Sequence, residues 1–81
     1  MVTPDSVKSG IAAGLACEQV EVSGDGQHFQ ALVVSAAFEG KSRVQRHQLV
    51  YAALGERMRE EIHALSMTTL TPAQWAALRA E

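Results

Sequence analysis

The spacing of hydrophobic and polar positions changes several times along the chain, and each change marks a new predicted element. Val7, Ile11 and Leu15 recur every four residues, which predicts a helix with one narrow apolar face. Thr3 and Pro4 occupy the N-cap and first helical positions that such a helix favours. The first predicted element is therefore a short amphipathic helix.

A β-hairpin is predicted next. Residues 19–23 alternate between polar and apolar side chains, which is typical of a strand with one solvent-exposed face. Gly24, Asp25 and Gly26 predict a tight turn, because glycine adopts positive φ at no steric cost. The second strand is expected over residues 29–37, and its centre is apolar on both faces. We therefore place this strand in the middle of the sheet.

A helix over about residues 42–54 follows, with Ser42 as its N-cap. Its apolar positions predict the face that packs on the sheet. These positions are Val44, Tyr51 and Leu54 on one side, with Val50 beside them.

Gly55 interrupts the helical pattern, and a short helix is predicted over residues 56–61. The third strand, residues 64–69, returns after a crossover of about 25 residues, a length that implies parallel pairing with the second strand. The sheet is therefore expected to be mixed.

The last predicted helix begins with a capping box. Thr71 is its N-cap, Pro72 its first residue and Gln74 the third residue after the cap, with Leu70 and Trp75 at the flanking hydrophobic positions. The element order is α-β-β-α-α-β-α. This order predicts an α+β fold, a three-stranded mixed sheet with helices packed mainly on one face.

Size and composition narrow the possible functions. The 81 residues predict a single domain over residues 1–81, and the hydrophobic share of 47% is typical of a globular protein. The net charge of −2 means that contact with nucleic acid would need a local basic patch. Cys17 is the only cysteine, which excludes an intramolecular disulfide and favours a reducing, cytoplasmic location. No apolar run approaches the length of a membrane span.

The candidate chemistry is sparse. Lys41, Arg43 and Arg46 form a basic cluster at the start of the middle helix, beside His47. Such a cluster suits a phosphate backbone or an acidic partner, but it is also common on a solvated helix face, and the sequence leaves both possibilities open. The chain carries no glycine-rich phosphate loop and no catalytic constellation, so an enzyme is disfavoured.

Four segments in one order carry a resemblance to a known family. They are VEVSGDGQHFQALVVS, FEGKSRVQRHQLVY, IHALSM and LTPAQW, and they cover about residues 20–75. With these segments the chain resembles the BolA-like family, and most closely its bacterial acid-stress subgroup. The resemblance implies a fold similar to a class II KH domain and a protein without enzymatic activity.

The resemblance also implies a cofactor and a partner. BolA-like proteins pair with monothiol glutaredoxins and can share a bridging [2Fe–2S] cluster, with glutathione completing the ligands. The family pattern implies an iron ligand at His63 and a second ligand in the loop between the first two strands, where His28 is the only histidine or cysteine. No cluster is expected in the isolated protein, which we expect to be a monomer or a weak homodimer.

The alternative function is a DNA-binding regulator of transcription or stress response that uses Lys41, Arg43, Arg46 and His47. RNA binding of the KH kind is disfavoured, because residues 53–58 carry one glycine and an acid where KH domains have a GXXG loop.

Overall fold

The computed structural model describes residues 2–62 and 64–80, and for residues 56–61 it describes the backbone alone. Its elements are α1 (Pro4–Gly14), β1 (Gln19–Gly24), β2 (His28–Val34), a 3-10 turn (Ala36–Phe38), α2 (Arg43–Glu61), β3 (Ala64–Leu70) and α3 (Pro72–Arg79). Gly55 has φ 80° and ψ 162°, so it breaks α2 into two helical segments. The predicted element order is confirmed.

The three strands form one sheet in the order β1-β2-β3. β1 and β2 pair antiparallel, with Gln19 opposite Val34. β2 and β3 pair parallel, from His28 opposite Ala64 to Val34 opposite Leu70. The predicted mixed sheet with the second strand at its centre is therefore confirmed.

The second strand ends earlier than the sequence pattern predicts. β2 stops at Val34, and the chain turns into a 3-10 helix at Ala36 instead of continuing to residue 37. Ser35 is fully buried, and its hydroxyl donates to the Ala16 carbonyl at 2.6 Å and accepts from the Ala37 N–H at 3.1 Å. This hydroxyl caps the turn and diverts the backbone from the strand, because serine competes well for backbone partners at such caps.

α1 and α2 cover the face of the sheet that carries Phe29 and Val33. Among the side chains that the structure describes, the buried hydrophobic ones are Val2, Val7, Ile11, Val20, Phe29, Ala31, Val33, Val34, Phe38, Val50 and Leu54. The two helices approach closely at Gly14, where a Cβ atom would lie 2.6 Å from the Cα of Ala53. Glycine at this position therefore permits the helix contact on which the core depends.

Val44 does not face the sheet, which corrects the prediction from the sequence. Its side chain is 65% exposed, whereas Val50 is fully buried and Leu54 is 7% exposed. At roughly 100° per residue, Val44 lies about 120° around the helix from Val50. The buried stripe of α2 therefore follows Val50 and Leu54.

α3 begins with the predicted capping box, in which Thr71 Oγ1 accepts from the Gln74 N–H at 3.1 Å and Gln74 Oε1 accepts from the Thr71 N–H at 2.9 Å. Trp75 is half-buried and borders a groove of about 410 Å³ with Leu32 and Leu78, on the face of the sheet away from α1. None of the helices in the described part of the chain is long and apolar enough to cross a membrane.

Candidate functional site

The turn between β1 and β2 is built by Asp25. Its Oδ1 accepts from the backbone N–H groups of Gln27 at 3.0 Å and His28 at 2.9 Å. These two bonds stabilise the ionised carboxylate and hold the pKa of Asp25 below its usual value of 3.8. Gly26 supplies the positive φ of 100°, and a Cβ at Gly24 would lie 2.4 Å from the His28 carbonyl oxygen. The turn therefore fixes the backbone of His28.

The His28 imidazole is presented to solvent at the start of β2. The side chains of His28 and Asp25 are 74% and 72% exposed, and His28 Nδ1 lies 3.9 Å from Asp25 Oδ2. This distance is too long for a hydrogen bond but short enough for electrostatic attraction when the imidazole is charged. A partner protein can therefore reach His28 directly.

The backbone of the start of β3 lies beside this turn. His28 is the register partner of Ala64, and the Ala64 N–H donates to the Gln27 carbonyl at 3.2 Å. His63, the other predicted iron ligand, directly precedes Ala64 in the sequence and lies outside the described residues.

The described donors near His28 are too few to hold a metal ion by themselves. Over residues 2–62 and 64–80, no three histidine, cysteine or acidic side chains whose positions are described are grouped as metal ligands. A neutral imidazole is a good ligand for iron, so His28 fits one position of an iron site. The remaining ligands would have to come from elsewhere, including a second protein.

Cys17 is remote from His28. The Glu18 N–H donates to the Val34 carbonyl at 2.8 Å, which places this part of the chain at the opposite end of β2. The Cys17 thiol is half-buried and donates to the Leu15 carbonyl at 3.2 Å, and burial raises the pKa of the thiol. Cys17 and His28 are therefore not joined in one site.

The basic cluster lies at the start of α2. Ser42 and Gln45 form a capping box, in which Ser42 Oγ accepts from the Gln45 N–H at 3.2 Å and Gln45 Oε1 accepts from the Ser42 N–H at 2.9 Å. Lys41 and Arg43 are exposed, and His47 is half-buried. The capping box fixes the first turn of the helix, so these side chains project from a defined backbone.

Arg46 differs from the other cations because its guanidinium is bound within the protein. Nε donates to the Lys41 carbonyl at 3.0 Å, and Nη1 donates to the Thr69 carbonyl at 3.1 Å and to Gln74 Oε1 at 3.0 Å. The guanidinium also lies 5.9 Å from the centroid of the buried Phe38 ring. Arg46 therefore joins α2 to the ends of β3 and α3.

The sequence interpretation treated Arg46 as a surface cation and missed this structural role. A signal was present, because Arg46 stands four residues before Val50 and eight before Leu54, on the buried stripe of α2. An arginine on the stripe that faces the core is expected to find partners within the fold.

The structure does not bring the two predicted sites together. Ala64 lies beside His28, and Thr69 lies beside Arg46. Thr69 comes five positions after Ala64 along β3, which is about 17 Å at the usual rise of a β-strand. The turn that presents His28 and the basic cluster at the start of α2 are therefore two surfaces at opposite ends of β3.

Comparisons with known proteins agree in sequence and in fold. A protein-family model described as BolA-like protein matches residues 6–74. The acid stress protein IbaG of Escherichia coli is 42% identical over 73 residues, covering 89% of this chain and 87% of that protein. A BolA homologue from Coxiella burnetii has a TM-score of 0.83 at 45% identity, over 94% of this chain and 99% of that one. A related protein from Babesia bovis has a TM-score of 0.85 at 32% identity, over 98% and 95%.

Proposed function

Because this chain belongs to the BolA-like family, we propose that it is a non-enzymatic adaptor that pairs with a monothiol glutaredoxin. The two proteins share a [2Fe–2S] cluster, for which this chain contributes His28 and His63, and the glutaredoxin and its glutathione contribute sulfur. The adaptor acts in the cytoplasm in iron–sulfur and redox homeostasis. The Escherichia coli relative is an acid stress protein, which supports a link to stress.

The position of His28 is the observation that supports this proposal most directly. Its side chain is 74% exposed, while its backbone is fixed by the Asp25 carboxylate and by pairing with Ala64. A side chain that binds iron shared with a partner protein has to be exposed, and its backbone has to be fixed. Ala64 is the register partner of His28, and His63 is the residue that precedes Ala64 in the sequence.

Asp25 supports a ligand role for His28. Its Oδ1 holds the His28 backbone N–H at 2.9 Å, whereas its Oδ2, at 3.9 Å from Nδ1, is too far for a hydrogen bond, so Asp25 fixes the backbone and occupies neither ring nitrogen. Histidine in place of thiolate at one iron raises the reduction potential of a [2Fe–2S] cluster, which when bound supplies one-electron chemistry. Ligation also requires a neutral imidazole, so binding weakens as the pH falls.

The test is anaerobic reconstitution of the protein with a monothiol glutaredoxin and glutathione, followed by visible circular dichroism. We expect His28→Ala and His63→Ala each to abolish or shift the bands of the heterodimer. Gln27→Ala is the matched control, because Gln27 is an exposed neighbour in the same turn. Calorimetric titration of the iron-free proteins separates loss of a ligand from loss of partner binding.

A spectrum and cluster lifetime that stay unchanged in both histidine variants would show that neither residue is a ligand. A heterodimer that fails to form even with the unaltered protein would remove the adaptor function itself.

DNA binding is the second candidate function, and the exposed Lys41 and Arg43 at the start of α2 favour it. Arg46 contributes less than its charge suggests, because its guanidinium is bound to the Lys41 and Thr69 carbonyls. A labelled duplex should then bind weakly, with an affinity that falls steeply with salt and with Arg43→Glu. Absence of binding at low salt would exclude this function.

A further inference from the structure

β3 has a free edge. It pairs with β2 on one side, and among the described strands none pairs with its other side. The Ala64 N–H donates to the Gln27 carbonyl and the Leu70 carbonyl accepts from the Ser35 N–H, so the even-numbered residues of β3 direct their backbone groups toward β2.

Backbone groups of successive strand residues point to alternate sides. The odd-numbered residues Leu65, Met67 and Thr69 therefore direct their N–H and C=O groups to the free edge. The bond from Arg46 to the Thr69 carbonyl agrees with this direction. That bond also occupies the Thr69 carbonyl. The accessible section of the free edge beside α2 therefore consists of the N–H and C=O of Met67 and the N–H of Thr69.

A groove of about 490 Å³ runs along this section of the edge. One wall is the strand from Met67 to Leu70, and the other is the start of α2. The residues lining the groove are Lys41, Arg43, Arg46, His47, Met67, Thr68, Thr69, Leu70 and Gln74. This set contains no acidic residue, so the groove combines unpaired strand backbone with a positive wall.

We propose that this groove binds an extended, acidic peptide segment of a partner protein, which adds to the free edge of β3 as a fourth strand. The peptide backbone bonds to Met67 and to the Thr69 N–H, and its acidic side chains meet Lys41 and Arg43. Strand addition of this kind takes affinity from the backbone bonds and specificity from side chains on one face. Arg46 ends the ladder, because it already fills the Thr69 carbonyl.

A peptide fits this groove better than a nucleic acid duplex does. Only two of its cations, Lys41 and Arg43, are exposed, and a protein that binds duplex through phosphates needs many such contacts. The outward backbone groups of β3 match the repeat of an extended peptide and have no counterpart on a duplex surface. This surface lies away from His28 and goes beyond the proposed sharing of a cluster.

The experiment uses fluorescence polarisation with the iron-free protein and no glutaredoxin, so its result does not depend on the cluster. The probe is a labelled peptide of alternating glutamate and valine. Two further peptides carry backbone N-methyl groups, on the glutamates in one and on the valines in the other. In an added strand, either the N–H groups of the glutamates or those of the valines face β3, but not both. We therefore expect one N-methylated peptide to lose about tenfold or more in affinity and the other to keep its affinity.

Variants of the protein test the two walls separately. Lys41→Glu combined with Arg43→Glu should weaken binding of the acidic peptide by about tenfold. Met67→Pro removes an outward N–H that β2 does not use, and it should weaken binding, whereas Met67→Leu keeps the N–H and should not. If Met67→Pro fails to fold, the N-methylated peptides still decide the matter.

Three outcomes would overturn the proposal. One is no binding of the acidic peptide at low salt. Another is equal binding of both N-methylated peptides, which would indicate a charged surface without strand addition. The third is displacement of the peptide by a short DNA duplex that binds more tightly than the peptide does, which would assign the surface to nucleic acid.

Discussion

The side chains of Arg46 and Gln74, 28 residues apart in the sequence, are joined by a hydrogen bond of 3.0 Å between Nη1 and Oε1. The same Gln74 oxygen accepts from the Thr71 N–H that begins α3. One amide oxygen thus connects the start of α2, through Arg46, to the cap of α3. The basic cluster therefore lies where hydrogen bonds hold the starts of α2 and α3 together.

Removing the hydrogen bonds of Arg46 should destabilise the protein. Arg46→Ala loses three hydrogen bonds, of which the one to the Thr69 carbonyl is partly buried, and we expect the free energy of unfolding in urea to fall by about 1–2 kcal/mol. Arg43→Ala, an exposed arginine on the same helix, should change it by less than about 0.5 kcal/mol. Equal losses in the two variants would mean that the bonds of Arg46 contribute nothing to stability.

Gly14→Ala should destabilise the contact between α1 and α2. The added Cβ would lie 2.6 Å from the Cα and 2.7 Å from the carbonyl oxygen of Ala53, so the helices must move apart, at a cost of about 1–3 kcal/mol. Gly40→Ala is the comparison, because its surroundings are open and only its φ of 75° is strained, which costs about 1–2 kcal/mol. Thermal unfolding measures both losses, and only Gly14→Ala should also shift the amide resonances of α1 and α2 around their contact at Ala53.

Gly24→Ala should displace His28. The new Cβ would lie 2.4 Å from the His28 carbonyl oxygen and 2.7 Å from the Phe29 ring, so the hairpin cannot close in its present register. We expect a loss of about 2 kcal/mol or more in unfolding free energy, together with changed amide chemical shifts at the start of β2. His28→Ala should be neutral for stability, since that side chain is exposed. A large loss with His28→Ala would show that its side chain has a role in packing.

Cys17 should react slowly with alkylating reagents. Burial raises the pKa of its thiol above the usual 9.0, so in the native state the thiolate forms only at higher pH than in the unfolded chain. The native state therefore keeps the thiol proton to higher pH than the unfolded chain does. The contribution of the protonated thiol to stability is present below the unfolded pKa and is lost as the pH rises through the native pKa. The rate of iodoacetamide labelling against pH, with and without denaturant, measures both values, and coincident midpoints would contradict the burial effect.

Local signals made most of the fold predictable. The capping box at Thr71 and the N-cap at Thr3 each depend on hydrogen bonds between residues three positions apart, so the sequence alone reveals them. The strand order and the parallel return of β3 followed from the alternation of side chains and the length of the crossover. The end of β2 was not predicted, because Ser35 is bound to Ala16, which lies 19 residues away.

The sequence by itself determined the elements, their order, the family and the residue types available for chemistry. Tertiary structure alone decided that Val44 is exposed, that Gly14 sits against Ala53, that Arg46 is bound and that the basic cluster is remote from His28. The reason is range. Caps, turns and periodicity depend on neighbours within about one helical turn, whereas these four features depend on how separate elements pack.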